Sequence, residues 1–204
     1  MPAPVIYYIR HGETAWNADG RLQGTRDTAL NDLGRRQAVQ SGHILADLLA
    51  RDGRDKAQIP YLSSPLLRAR ATMELMRGAL HLPPRDYATD DRLREIGYGQ
   101  WEGFSWKDIE LTHPTALADW RADPHGYCPP GGETHLDLRR RSAAMLAEIA
   151  ASGTRTVVVG HGVSGAVLRG LNLGLDAKAM FVLEKPQDAF FRLLAGVEER
   201  IVCD

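Results

Sequence analysis

Cysteine, net charge and long apolar runs are all scarce in this sequence, and each scarcity excludes something. The 204 residues include two cysteines, Cys128 and Cys203. That is too few for a disulfide framework, and a reducing compartment would keep both as thiols. A formal net charge of −1 sets up no field that would draw the whole molecule to nucleic acid or lipid, so neither is expected as a partner. No apolar stretch approaches the roughly 20 residues that a spanning helix needs. The first residues show no basic segment followed by an apolar one and a small-residue cleavage site, which makes a cytoplasmic protein the expectation. Hydrophobic residues at 44% and charged residues at 25% match an ordinary soluble globular chain. One domain over residues 1–204, with a sizeable core, is expected from this length.

What is present is an alternation of strand and helix patterns. Val5 to Ile9 reads as a central strand, because its β-branched and aromatic residues run on without polar alternation. A short polar loop with Gly12, Asn17, Gly20 and Gly24 follows. Asn31 is placed to cap a helix reaching about Ala50. Ile59 to Ser63 predicts a second strand, with Pro65 in the first turn of a helix through Leu80. Residues 97–133 are rich in glycine and proline yet carry Trp101, Phe104, Trp106 and Trp120. This is the composition of a lid or insertion whose aromatic residues are too large to leave in water, and most of them are expected in a local core. A helix is predicted from Thr134 to Ala151. Then come a strand at Thr156 to Val159, a turn at Gly160-His161-Gly162 and a helix at Val163 to Leu173. Phe190 to Leu194 and Ile201 to Cys203 read as late strands. Strands alternating with helices predict a layered α/β fold.

Two histidines hold matching places in that pattern. His11 and His161 each lie just beyond the carboxyl end of a predicted strand, the edge where open α/β sheets bind ligands and where helix N-termini favour anions. Gly12 and Gly162 would let the backbone approach a ligand closely. Arg10 makes the inferred site cationic and suited to phosphate. Ser63, Ser64 and Arg68 fall at and after another strand end. Arg68 and Arg70, about 200° apart on a helix, cannot both face inward, so one is expected at the surface. His113, His125, Cys128 and His135 are suitable metal-ligand types, but their spacing matches no compact zinc pattern, and no metal is expected. The run Arg139 to Arg141 reads as a solvated helix face.

The segments "RHGETAWN", "LQG", "LNDLGRRQA", "SSPLLRARAT", "LREIGYGQWEG", "PPGGE" and "VVVGHG", in this order from residue 5 to about 170, resemble the motifs of the histidine phosphatase superfamily. This is the phosphoglycerate mutase-like family, and the likeness is to its small phosphatase branch. The resemblance implies a three-layer α/β/α sandwich with a mostly parallel central sheet, and no cofactor. It implies that His11 is the nucleophile, forming a phosphohistidine, and that Arg10, Arg68 and His161 hold the phosphoryl oxygens. Asn17 and the N–H of Gly162 would add contacts, and Gln23 and Gly24 would line the pocket. Glu95 would be the acid and base, while Glu13 would be structural, pairing with an arginine. Glu133 is left with two readings, a pocket residue or a first-turn residue favoured by the helix dipole.

The expected function is a metal-independent phosphatase acting on a small phosphorylated metabolite, as a monomer or homodimer. The runner-up is a cofactor-dependent phosphoglycerate mutase. Against it, residues 96–132 hold only Lys107 and Arg121 as cations, where the mutases carry adjacent arginines. A non-catalytic phosphate-binding protein is the remote alternative, opposed by the presence of all five central residues.

Overall fold

The apolar N-terminal run forms β1 (Ile6–Arg10) near the middle of a six-stranded sheet in the computed structural model, which describes residues 4–203. The other strands are β2 (Tyr61–Ser63), β3 (Ala88–Thr89), β4 (Thr156–Gly160), β5 (Ala189–Leu194) and β6 (Val197–Val202), in the order β3-β2-β4-β1-β5-β6. The first four in that order pair in parallel, and β5 and β6 continue the sheet antiparallel. The sheet is therefore mixed, with the expected parallel character confined to its site-bearing half.

The helices are α1 (Ala15–Ala18), α2 (Asp32–Arg51), α3 (Leu67–Ala79), α4 (Trp106–Thr112), α5 (Pro114–Ala122), α6 (His135–Ser152), α7 (Gly162–Asn172) and α8 (Ala177–Phe181). The two-residue period of the strands explains the layers. Tyr7, Ile9, Val157 and Val159 share a core with Leu45 and Leu49 of α2 and Met73 and Met76 of α3. Ile6, Tyr8 and Val158 share another with Met145 and Ile149 of α6 and Leu168 of α7. Each fully buried aliphatic side chain of this kind contributes about 1.5–3 kcal/mol. Strands covered on both faces explain why no polar alternation was visible in β1 and β4.

Asn31 caps α2, its side chain accepting from the Gly34 N–H at 2.8 Å. Pro65 stands ahead of α3, not within it, because Leu66 keeps extended backbone and is the N-cap residue. The polar loop after β1 contains the unexpected α1, stabilised by a capping box between Thr14 and Asn17. Residues 97–133 supply α4, α5 and a small core of their own. Trp101, Ile109 and Leu117 are buried there, with Phe104, Trp120 and Tyr127 against them. Trp106, at 38% exposure, departs from the expectation of burial. Cys128 is a free thiol, and among the described residues no helix is long and apolar enough to cross a membrane.

Candidate active site

The register of the central strands brings the two histidines together. Arg10 of β1 pairs with Gly160 of β4, so the next residue of each chain segment, His11 and His161, emerges at the same sheet edge. The His11 N–H continues the ladder to the Gly160 carbonyl at 3.0 Å, and the ring centroids lie 5.1 Å apart. Ser63 pairs with Val159 in the same way. This sets Ser64 beside His161, with 2.7 Å between Ser64 Oγ and His161 Nε2.

The protonation of His11 can be read from its neighbours. Arg68 has only donors, and its Nε lies 3.2 Å from His11 Nε2. Nε2 must therefore be the accepting nitrogen, and Nδ1 carries the proton that it donates to the Gly12 carbonyl at 2.7 Å. The ring stays neutral because burial, then Arg68 and Arg10, push its pKa well below 6.5. Burial also holds His161 well below 6.5, followed by Arg68, His11 and Arg10. Two neutral imidazoles thus stand beside two guanidiniums.

Arg68 sits in the first turn of α3 and is fully buried, whereas Arg70 is exposed, as the helical angle between them requires. Burial lowers the Arg68 pKa to about 10, which leaves it charged at neutral pH. Its two terminal nitrogens donate to the carbonyls of Arg26 at 2.7 Å and Gly24 at 2.8 Å, so the nucleophile and loop 22–28 share one tether. Arg10 donates to the Lys185 carbonyl, and its buried Nε has no partner among the described residues. The same is true of His161 Nδ1. Buried polar nitrogens without partners are unusual, and the Arg10 donor fits an anion-binding site.

Glu95 arrives from outside the strand pattern. Its carboxylate accepts from the N–H groups of Val163 at 3.0 Å and Ser164 at 2.8 Å, and also from Ile96 at 3.0 Å. His161, the N-cap residue of α7, makes no side-chain cap bond, and Glu95 satisfies that helix end in its place. The carboxylate is 8% exposed as a residue and stands against the turn that carries His161 and Gly162.

A family model described as "Histidine phosphatase superfamily (branch 1)" matches residues 6–194. The chain belongs to this superfamily. Its relatives include a glucosyl-3-phosphoglycerate phosphatase of Mycolicibacterium vanbaalenii, 34% identical over 200 residues, covering 94% of this chain and 84% of that one. A metal-independent phosphoserine phosphatase of Arabidopsis thaliana is 34% identical over 171 residues, 82% of this chain and 67% of that one. A probable phosphoglycerate mutase of Yersinia pestis is 34% identical over 181 residues, 85% and 77% of the two chains. Among solved structures, a putative alpha-ribazole-5'-P phosphatase of Escherichia coli superimposes with a TM-score of 0.80 at 25% identity, covering 99% of this chain and 96% of that one. The chain is thus a phosphoryl-transfer enzyme with phosphatases among its relatives, and its α/β fold is the phosphoglycerate mutase-like one.

In this histidine phosphatase the remaining predicted residues are placed as follows. Asn17 completes the capping box of α1 by accepting from the Thr14 N–H, and its Oδ1 also accepts at 3.3 Å from Gln187, whose amide donates to the His11 carbonyl at 3.1 Å. Gln23 is buried, accepting from the hydroxyls of Thr14 at 3.0 Å and of Thr28, and Gly24 meets Arg68 through its carbonyl. Gly162 lies against Arg10, but space alone does not demand glycine there: a Cβ would stand 3.4 Å from the guanidinium carbon, an ordinary contact. Among the described residues Glu13 forms no ion pair with an arginine; it accepts from the Asn31 amide at 2.8 Å and so steadies the cap of α2.

Three expectations need correction. Arg141 is not a solvated face residue: it forms a forked pair with Glu133 at 2.7 and 2.8 Å and donates to the carbonyls of Arg92, Arg94 and Glu95. Its partner Glu133 precedes the N-cap Thr134, so it is neither a first-turn residue nor free to face the pocket. Gly12, in turn, admits α2 rather than a ligand, because a Cβ on it would lie 2.1 Å from the Gly34 carbonyl oxygen. His113, His125, Cys128 and His135 form no metal cluster, and among the described residues no group of three such side chains does. Tyr8, Gln187 and Arg141 are the site residues that the sequence reading missed. Tyr8 clamps the turn after β4, its hydroxyl bonding both N–H and C=O of His161 at 2.8 Å.

Proposed function

We propose that the protein is a metal-independent phosphatase that hydrolyses monoesters of a small phosphorylated metabolite through a phosphohistidine on His11. The observation carrying this reading is the fixed tautomer of His11, which presents a neutral Nε2 lone pair beside Arg68 and His161. In the first step Nε2 attacks phosphorus and the bond to the ester oxygen breaks; Glu95 donates the proton that lets the alcohol leave. In the second, Glu95 takes a proton from water as it attacks phosphorus, and the P–N bond breaks to release phosphate and regenerate His11. Arg10, Arg68 and His161 hold the phosphoryl oxygens, which is most of what such a transfer needs. The two guanidiniums supply the positive charge that a metal would otherwise bring.

A mutase would return the phosphoryl group to a second oxygen of a bound acid. Of the two cations that residues 96–132 offer, Lys107 is exposed and Arg121 is exposed and paired with Glu110 at 3.0 Å, which disfavours that outcome. Phosphate release from a panel of monoesters in excess chelator, with interconversion of phosphoglycerates followed in parallel, decides between them. Chelator-resistant release without interconversion is expected. His11→Ala should fold, form no phosphoenzyme and lose turnover by about a thousandfold or more; normal turnover in that variant would refute the nucleophile assignment.

A further inference from the structure

We infer that the alcohol part of the substrate is a bulky apolar group, aromatic or hydrocarbon, without positive charge, and that it docks in a cavity beside the histidines. This deepens the phosphatase reading and rests on it. The cavity has a volume of about 290 Å³, at the lower end of the range for small-molecule sites, ~300–1,000 Å³. Trp106, Trp120 and Phe181 form one wall, with ring centroids 4.7 Å apart for the two tryptophans and 6.0 Å for Trp120 and Phe181. Leu136 of α6 and Met180 of α8 add apolar surface.

Three of these side chains are left partly in water, Trp106 at 38%, Leu136 at 51% and Phe181 at 36%. Apolar surface gathered around a concavity, not scattered singly, is what a ligand site leaves exposed. The cavity shares a wall with the site. Ala166 and Lys185 line both it and the small gap beside Arg10, His161 and Gly162. Val163, whose N–H holds Glu95, lines it as well. Val163 thus joins the Glu95 carboxylate to the cavity wall, and an ester oxygen next to Glu95 would have the cavity within reach of its carbon side.

Chemistry narrows the occupant further. Among the described residues no Asp or Glu lines the cavity, so an ammonium would find no counter-charge. Lys185 directs its Nζ to the carbonyls of Phe181 at 3.2 Å and Leu183 at 2.9 Å, which engages its charge at the end of α8. A sugar, with a hydroxyl on nearly every carbon, would find polar side chains only at Tyr98, His125, His135, Arg139 and the engaged Lys185, and would set its remaining hydroxyls against tryptophan, phenylalanine, leucine and methionine. Desolvating them there is unfavourable.

The test compares ethyl phosphate with a naphthylethyl phosphate, two primary alkyl esters of matched intrinsic reactivity, in wild type, Phe181→Ala and Leu136→Ala. The expected result is a kcat/KM preference of about tenfold or more for the naphthyl ester, reduced severalfold in both variants. Equal kcat/KM for the two esters, or a preference that neither variant changes, would overturn the inference and leave the phosphatase reading standing. If neither ester is hydrolysed, binding of naphthylmethylphosphonate and methylphosphonate is read by tryptophan fluorescence. Tighter binding of the naphthyl compound, weakened in Phe181→Ala, would uphold the cavity and refute the hydrolytic reading; equal binding would refute the cavity too. A dimer in sedimentation that Phe181→Ala dissociates would give this face to a second copy and also overturn the inference.

Discussion

At the residue scale, the fold keeps three histidines neutral, two buried in the site and one partly buried beside it. His11 and His161 are held well below 6.5, and His135, in the cavity wall, is lowered to about 4, each chiefly by burial. In the unfolded chain each ring takes up a proton near pH ~6.5. The unfolded state thus binds more protons below that pH, and stability, complete above it, falls as the pH drops toward the folded-state values. His11 and His161 each contribute a slope of up to about 1.4 kcal/mol per pH unit. Urea unfolding across pH should show a flat midpoint above about 6.5 and a decline below it. A midpoint that stays flat on acidification would show that the rings accept protons in the folded state. His11, His161, Arg10 and Arg68 were legible as candidates because each follows or opens a regular element. Tyr8 was not, since its hydroxyl is hidden inside an apolar strand pattern.

At the element scale, close backbone approach and loop anchoring matter most. The loop after β1 crosses α2 where two glycines meet, Gly12 against the Gly34 carbonyl and Gly34 against the Glu13 carbonyl, each 2.1 Å from a hypothetical Cβ. Gly12→Ala is expected to cost about 3 kcal/mol, since backbone must move on both sides. Gly78→Ala in α3, where a Cβ meets nothing within 4 Å, should instead stabilise by about 0.5 kcal/mol; thermal melts of the pair check both signs. Arg141 ties α6 to the segment that presents Glu95. Arg141→Ala is expected to cost about 2 kcal/mol and to lower kcat more than it raises KM. Arg141→Lys should not restore kcat, because an ammonium cannot replace the fork. Full restoration by lysine would reduce Arg141 to a point charge. Long helices were legible from their period and caps. α8 and β3 were not, because five and two residues carry too little pattern.

At the scale of the whole molecule, the sheet ends in two edges of different character. β3 is only two residues long, and β6 carries Glu198, Glu199 and Arg200 on its outer course. Short and charged edges resist pairing with another chain. Sedimentation velocity is expected to show no dimer built through the sheet; a dimer abolished by Val202→Lys would contradict this. The layered order was legible because helices and strands alternate. The antiparallel hairpin of β5 and β6 was not, since periodicity alone does not state direction. The aromatic residues of 97–133 were expected in a local core, and most are there. That one of them would stay half-open beside the histidines depends on how α4, α5 and α8 meet, which no local pattern encodes.

The carboxylate of Glu95 closes the first turn of α7 through the N–H groups of Val163 and Ser164. Under the proposed chemistry that same carboxylate gains and loses a proton in each cycle, and a neutral acid is a poorer acceptor than an anion. The helix is then a passive recorder of turnover. Its first amides are bound tightly while the group is a base and loosely while it is an acid, so a proton shuttled at the reaction centre is written into the solvent exchange of a neighbouring backbone.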